Sequence, residues 1–260
     1  MKVLILDTAA QAEVRAARMV AAAVKAMPRS VLGLATGGTM LPIYAELRRI
    51  RTAEGLSFAQ VTTFNLDEYV GLSAAHPASY HHYMRQVLFD HIDIDPGRTH
   101  LPRGDAADPI AEAMAYEARI EIAGGIDLQL LGIGRNGHIG FNEPTSSLGS
   151  KTRIKTLTQS TLEANRPYFA VGETMPKYAL TMGIGSILAA RHCVLVATGE
   201  EKAAAVAGMI EGPVSAVCPA SALQMHPKAT IILDAEAASG LKLTDYFQHV
   251  HPGGEKSEFE

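Results

Sequence analysis

Cysteine is nearly missing from this sequence. Cys193 and Cys218 are the two present, and they form no CxxC pair, so neither a disulfide framework nor a zinc site is indicated. Long apolar runs are missing too. The most apolar stretch, "RMVAAAVKAM", is interrupted by Lys25 and falls short of the roughly 20 residues a membrane span needs. The opening "MKVLILDTAA" turns polar too soon for a secretory signal, so a cytoplasmic protein is expected. Positive charge is not in excess. Lys and Arg number 23 against 27 Asp and Glu, a net charge of −4, which makes no field suited to nucleic acid or acidic membranes. The ten His are scattered apart from His81–His82, and adjacent helical side chains diverge. No metal site is read there. The GxSxG elbow of serine hydrolases and the GKS or GKT of a Walker loop are also absent.

What remains is an ordinary globular composition: 260 residues, 47% hydrophobic and 19% charged, enough to bury a sizeable core. Short apolar runs alternate with longer amphipathic ones. Strands are expected at 2–6, 31–35, 61–64, 127–133, 192–198 and 229–234. Helices are expected from Asp7-Thr8 to about Met27, from Met40 to Arg51, and over 77–92, 106–123 and 200–212. Strands buried on both faces and separated by helices imply a mainly parallel sheet with helices on both faces. The expectation is one α/β domain over 1–250, with an insertion around 145–185. The polar, Gly-rich end, 251–260, is expected to fray.

Three polar stretches fall at predicted strand ends, where open α/β sheets bind ligands. Thr36-Gly37-Gly38-Thr39 lies between a strand and a helix. It is either a plain βα turn or an anion cradle of backbone N–H groups with two hydroxyls. Asp67 and Glu68 follow a buried strand in "FNLDEY". Such an acid is either an exposed loop residue or helix cap, or a proton shuttle whose pKa burial raises. "LGIGRNGHIGFNEP" (131–144) puts Asn136, His138 and Glu143 on a glycine-rich turn. His138 is either a structural histidine or a proton carrier that a returning Glu143 orients. Three such elements in one chain favour a site. "GIGRNG" follows a late strand and opens no clear helix, so a dinucleotide cofactor is not expected.

With "LATGGT", "HPASY", "SKTRIKTLT", "PKYALTMGIGSIL" and "ALQMHPKATIILD" added, these segments resemble the glucosamine-6-phosphate deaminases from the first strand to about Phe247. The resemblance implies a Rossmann-like α/β fold with a lid at roughly 157–180. It implies conversion of glucosamine 6-phosphate and water to fructose 6-phosphate and ammonia, with no metal or organic cofactor. Asp67 matches the base that moves a proton from sugar C2 to C1, and His138 the group that opens the pyranose ring. Glu143 and Asn136 match the residues that orient and tune His138. Asn136 stands where other members carry Asp, and Asn cannot ionise. The phosphate matches Thr36, Gly37, Gly38, Thr39 and Lys202. A lid arginine is also expected on the phosphate. Here Arg166 stands one place early, followed by Pro167.

Some members are hexamers activated by N-acetylglucosamine 6-phosphate bound between subunits. The residues of that second site match Ser146, Arg153, Lys155, Thr156 and Tyr246. "SKTRIKT" reads as a strand with Lys151, Arg153 and Lys155 on one face, either an anion site or a solvated basic edge. A homo-oligomer, with a hexamer favoured, is therefore expected. Two other readings use the same fold. The 6-phosphogluconolactonases share "GRNGH" but follow the His with a Leu-Phe-Pro turn, and carry Arg where this chain has Tyr69. Sugar-phosphate-sensing regulators carry an N-terminal helix-turn-helix, for which a first strand at Lys2 leaves no room. Galactosamine 6-phosphate shares the phosphate and the amine, and stays open as a substrate.

Overall fold

A computed structural model describes residues 1–254. The elements in chain order are β1 (Lys2–Leu6), α1 (Ala9–Ala26), β2 (Val31–Leu34), α2 (Met40–Glu54), β3 (Thr62–Asn65), β4 (Asp67–Tyr69), α3 (Tyr80–Val87), β5 (Thr99–His100) and α4 (Pro109–Ile122). There follow β6 (Leu128–Leu131), β7 (Arg153–Thr156), α5 (Gln159–Asn165), β8 (Tyr178–Thr181), α6 (Ile184–Leu188), β9 (Cys193–Ala197), α7 (Ala203–Ile210), β10 (Ala229–Asp234) and α8 (Thr244–Val250). Among the described residues no helix is long and apolar enough to cross a membrane.

Seven strands form one sheet in the order β1-β10-β9-β6-β2-β3-β5, every pair parallel. β2, β6, β9 and β10 are buried at every residue. Alternate residues point to opposite faces, so both faces are covered, as a parallel sheet requires. This is the expected Rossmann-like architecture. The chain leaves β2 outward to β3 and β5, then returns to lay β6 on the other side of β2. The crevice past the carboxyl ends of β2 and β6 is thus the topological switch point.

A second sheet, β4-β8-β7, is antiparallel and was not expected. β7 lies within the stretch "SKTRIKT" expected as a strand, but β4 and β8 are too short for a period-2 pattern to stand out. Asp67 therefore opens a strand rather than lying in a loop, and pairs with Thr181 on β8. Thr181 also faces Arg153 on β7. Leu157 N–H bonds the Lys177 carbonyl at 2.9 Å, which closes the base of the excursion between β7 and β8.

Other boundaries shift for local reasons. Thr8 caps α1 in a reciprocal box with Gln11. α3 starts later than expected because Ser79 is its cap, accepting from His82 N–H, which leaves Pro77 in the preceding turn. Lys151 lies before β7 and pairs with Glu117 at 3.6 Å, so the expected row of three cations is not one strand face. At the C-terminus, 252–254 turn back onto β1, and Gly254 lies where a Cβ would stand 2.7 Å from Leu6 Cδ1. That part of the tail is docked, not frayed. The rest of the expected tail, 255–260, lies outside the described residues.

Candidate active site

A cleft of about 860 Å³ opens at the switch point. Its lining includes Thr36, Gly37, Gly38 and Thr39 after β2, Asp67 on β4, Asn136 and His138 after β6, and Lys202 ahead of α7. Four separate segments of the sequence thus meet in one place.

At one end lies the Thr36–Thr39 turn. Gly37 has φ +105°, a conformation side chains rarely adopt, and a Cβ on Gly37 or Gly38 would meet nothing within 4 Å. The main chain is bare toward the cleft. Tyr44 donates its hydroxyl to the Ala35 carbonyl, and Tyr83 donates to the Gly37 carbonyl at 2.8 Å. The carbonyls of Gly37 and Gly38 also accept the first N–H groups of α2, at 3.0 and 3.2 Å. Among the described residues the N–H groups of Gly37, Gly38 and Thr39 make no backbone hydrogen bond. Acceptors held inward and donors left over at a helix start make an anion receptor. Lys202 Nζ lies 3.3 Å from Glu201 Oε1, and both line the cleft.

Asp67, also in the lining, is buried on β4. Burial raises its pKa to about 8, and the neighbouring Glu68 carboxylate adds to the rise. A hydrogen bond from the Phe141 main chain opposes it. Gly140, at φ +56°, brings the main chain close, since a Cβ there would lie 3.3 Å from Asp67 Oδ2. Glu68 has a different task. Its carboxylate accepts the N–H groups of Tyr80 and His81, both at 3.1 Å, and meets His81 Nδ1 at 3.0 Å. It caps α3, which carries Tyr83 to the anion turn.

His138 and Glu143 form a unit. His138 Nδ1 meets Glu143 Oε2 at 3.3 Å, and Asn136 Nδ2 donates to the same oxygen at 2.8 Å. Asn136 Oδ1 accepts the His138 main-chain N–H at 3.2 Å. Asn136 therefore grips the His138 backbone and the carboxylate that meets its ring. Glu143 Oε1 accepts the hydroxyls of Thr158, at 3.1 Å, and Thr161. Burial would raise the Glu143 pKa, but the bonds from His138, Thr161 and Asn136 outweigh it and hold it at about 2. An ionised Glu143 at Nδ1 favours the tautomer that leaves Nε2 as the basic nitrogen.

A family model described as glucosamine-6-phosphate isomerases/6-phosphogluconolactonase matches residues 6–232. The chain belongs to that family. A relative in the family, the glucosamine-6-phosphate deaminase of Hahella chejuensis (strain KCTC 2396), is 58% identical over 223 residues, covering 86% of this chain and 85% of its own. The glucosamine-6-phosphate deaminase of Cellvibrio japonicus (strain Ueda107) is 52% identical over 98% of this chain and 97% of its own. A solved structure described as a monomeric glucosamine-6-phosphate deaminase superposes with a TM-score of 0.91 at 48% identity, covering 93% of this chain and all of that one.

Not every expected residue reaches the cleft. Arg166 donates to the main-chain carbonyls of Ala170, at 3.1 Å, and Glu173, and is not among the lining residues. Pro167 sets the local turn that folds it back. Ser146, Arg153, Lys155, Thr156 and Tyr246, expected at a second site rather than here, lie outside the lining. The first four belong to the β7 region, while Tyr246 sits on α8, which packs against β1. Sequence reading missed Tyr83, Thr158, Thr161 and Arg135. For Thr158 a signal existed, because a Thr ahead of a short helix is a cap pattern. For Tyr83 there was none.

Proposed function

We propose that this chain deaminates glucosamine 6-phosphate to fructose 6-phosphate and ammonia. One observation carries the reading: a buried carboxylate, Asp67, a histidine held by Glu143, and a glycine-rich anion receptor line one cleft. The Gly37–Gly38 turn, the Thr36 and Thr39 hydroxyls and Lys202 hold the phosphate. His138 takes the proton of the C1 hydroxyl at Nε2 and delivers one to the ring oxygen, and the C1–O5 bond breaks. Asp67 takes the proton from C2, the electron pair forms a C1–C2 double bond, and the C1–O1 π pair moves onto O1, which takes a proton from the C2 ammonium to give an enolamine. The same proton returns to C1, which leaves an iminium at C2. Water adds at C2 and ammonia leaves. No step calls for a metal or an organic cofactor. The 157–177 excursion is the lid, since its Ser160, Thr161, Ala164 and Tyr168 line the cleft. A cytoplasmic location completes the reading.

The test is ammonia release measured with glucosamine 6-phosphate, galactosamine 6-phosphate and, for ester hydrolysis, 6-phosphogluconolactone. Turnover of the lactone alone would overturn the proposal.

A second reading adds activation by N-acetylglucosamine 6-phosphate at Ser146, Arg153, Lys155, Thr156 and Tyr246. Two atoms support it. The buried Ser146 Oγ and the Arg153 Nη2 have no hydrogen-bond partner, which is costly unless a ligand supplies one. Against it stands the relative described as monomeric. Substrate titrations with and without the acetylated sugar, together with the mass in solution, decide it. Unchanged hyperbolic curves from a monomer would rule it out.

A further inference from the structure

Two cations, Arg135 and Lys202, are the only Lys or Arg among the residues lining the cleft. The other charged groups in the lining are Glu13, Asp67, Glu163 and Glu201. Both cations share one partner. Arg135 Nη2 bonds Glu201 Oε2, and Lys202 Nζ lies 3.3 Å from Glu201 Oε1. The Arg135 side chain is 72% exposed and that of Glu201 48%. Exposed ion pairs of this kind contribute little and exchange readily. Arg166, the arginine expected on the phosphate, is occupied by carbonyls of its own segment.

We propose that Arg135 is the second phosphate-binding arm of this enzyme, giving up Glu201 for the phosphate of the substrate. The inference rests on the sugar-phosphate reading of the cleft. Three features carry it. First, the guanidinium fork can bond two phosphate oxygens at once, which the Lys202 ammonium cannot do. Second, Glu201 holds both cations and lines the same cleft as the Gly37–Gly38 turn, so a phosphate in that cleft competes with one carboxylate for two cations. Third, the loop that carries Arg135 is tied down. Gly134 N–H bonds the His138 carbonyl and Gly137 N–H bonds the Gly134 carbonyl, both at 2.9 Å. The arm therefore starts from a fixed point, and its charge takes the place of the lid arginine that has turned away. The phosphate is unchanged by the reaction, so Arg135 supplies binding common to ground and transition states.

Arg135→Ala, Arg135→Lys and Glu201→Gln test this through two readings. One is calorimetric titration with inorganic phosphate, and the other is the split between KM and kcat. For Arg135→Ala, phosphate affinity falls by about tenfold and KM rises by about as much, the loss of one charge-assisted bond, while kcat stays within about twofold. Arg135→Lys recovers part of the loss. Glu201→Gln tightens phosphate binding because the competing carboxylate is gone. Wild-type phosphate affinity in Arg135→Ala overturns the proposal. So does a fall in kcat at unchanged KM, which would mean that Arg135 acts through the His138 loop. A wild-type chain that releases no ammonia defeats the deaminase reading instead, and the phosphate titration still decides Arg135.

Discussion

Thr161 and His138 hold opposite oxygens of one carboxylate. The Thr161 hydroxyl, on α5, donates to Glu143 Oε1, and His138 Nδ1 meets Glu143 Oε2 at 3.3 Å. The roof of the cleft is thereby bonded to the group that orients its histidine. Thr161→Val removes a donor from a buried charge, and kcat is expected to fall on the order of tenfold. Thr161→Ser keeps the hydroxyl and restores most of the rate. Equal losses in both variants would show that only packing matters. Stability has a sign of its own. Glu143 ionises at about 2 when folded, below its ordinary 4.5, so its contribution is present above that ordinary value and is lost as pH falls toward 2. Thr161→Val shrinks that acid-sensitive part, as melting curves across the acid range will show.

Asp67→Asn is expected to cut turnover by roughly 10²–10⁴-fold while substrate still binds. It should also stabilise the fold. Folded Asp67 titrates near 8 against an ordinary 3.8. Between those values the folded chain holds a proton that the unfolded chain has released, so stability falls as pH rises through the window. Asn has no proton to lose. The variant should melt above wild type at about pH 8, with the gap closing toward about pH 4. A variant that keeps a tenth of the rate or melts lower would remove Asp67 from its role.

The same pKa governs rate. The free enzyme needs Asp67 ionised, so kcat/KM should rise with pH to a midpoint near 8. A substrate ammonium beside the carboxylate favours its charged form. The corresponding limb of kcat should therefore lie at lower pH, because kcat reports the bound complex. Coincident limbs in the two profiles would place the ammonium away from Asp67.

Gly134 leaves room for the histidine ring. A Cβ there would stand 2.3 Å from His138 Cε1 and Nε2, closer than any real contact. Gly134→Ala must displace the ring from its place beside Glu143. Turnover is expected to fall by about 10²-fold or more, as for a mispositioned catalytic group, while inorganic phosphate binds as in wild type. Full activity in the variant would show that the ring is free to sit elsewhere.

The main sheet was legible because β2, β6, β9 and β10 are buried on both faces and carry mostly apolar runs. The second sheet was not, although β7 reads as a strand, because β4 and β8 have three or four residues each and give no pattern of their own. Such strands are specified by partners distant in sequence. Asp67, His138 and Glu143 could be named from strand ends and a glycine-rich turn. Their surroundings could not. Thr161 and Glu143 meet across the excursion, and Tyr83 reaches Gly37 from another helix. Arg135 lay inside a quoted motif, but its meaning depends on Glu201, which enters from a different strand end. Arg166 shows the converse. Its sequence position was close to right, and a local turn beside Pro167 directed it elsewhere.

The bond between Leu157 and Lys177 is also a seam. It closes the β7–β8 hairpin beneath everything that rises from it, while Thr181 on the same hairpin is paired to Asp67. A graft that keeps the seam leaves the pairing of Asp67 with Thr181 in place, because the join is already hydrogen-bonded below the cut. What a graft would lose is the threonine hydroxyls on Glu143. This part of the chain is therefore a module with two obligations, to offer two donors to that carboxylate and to bury Phe169 against Tyr69.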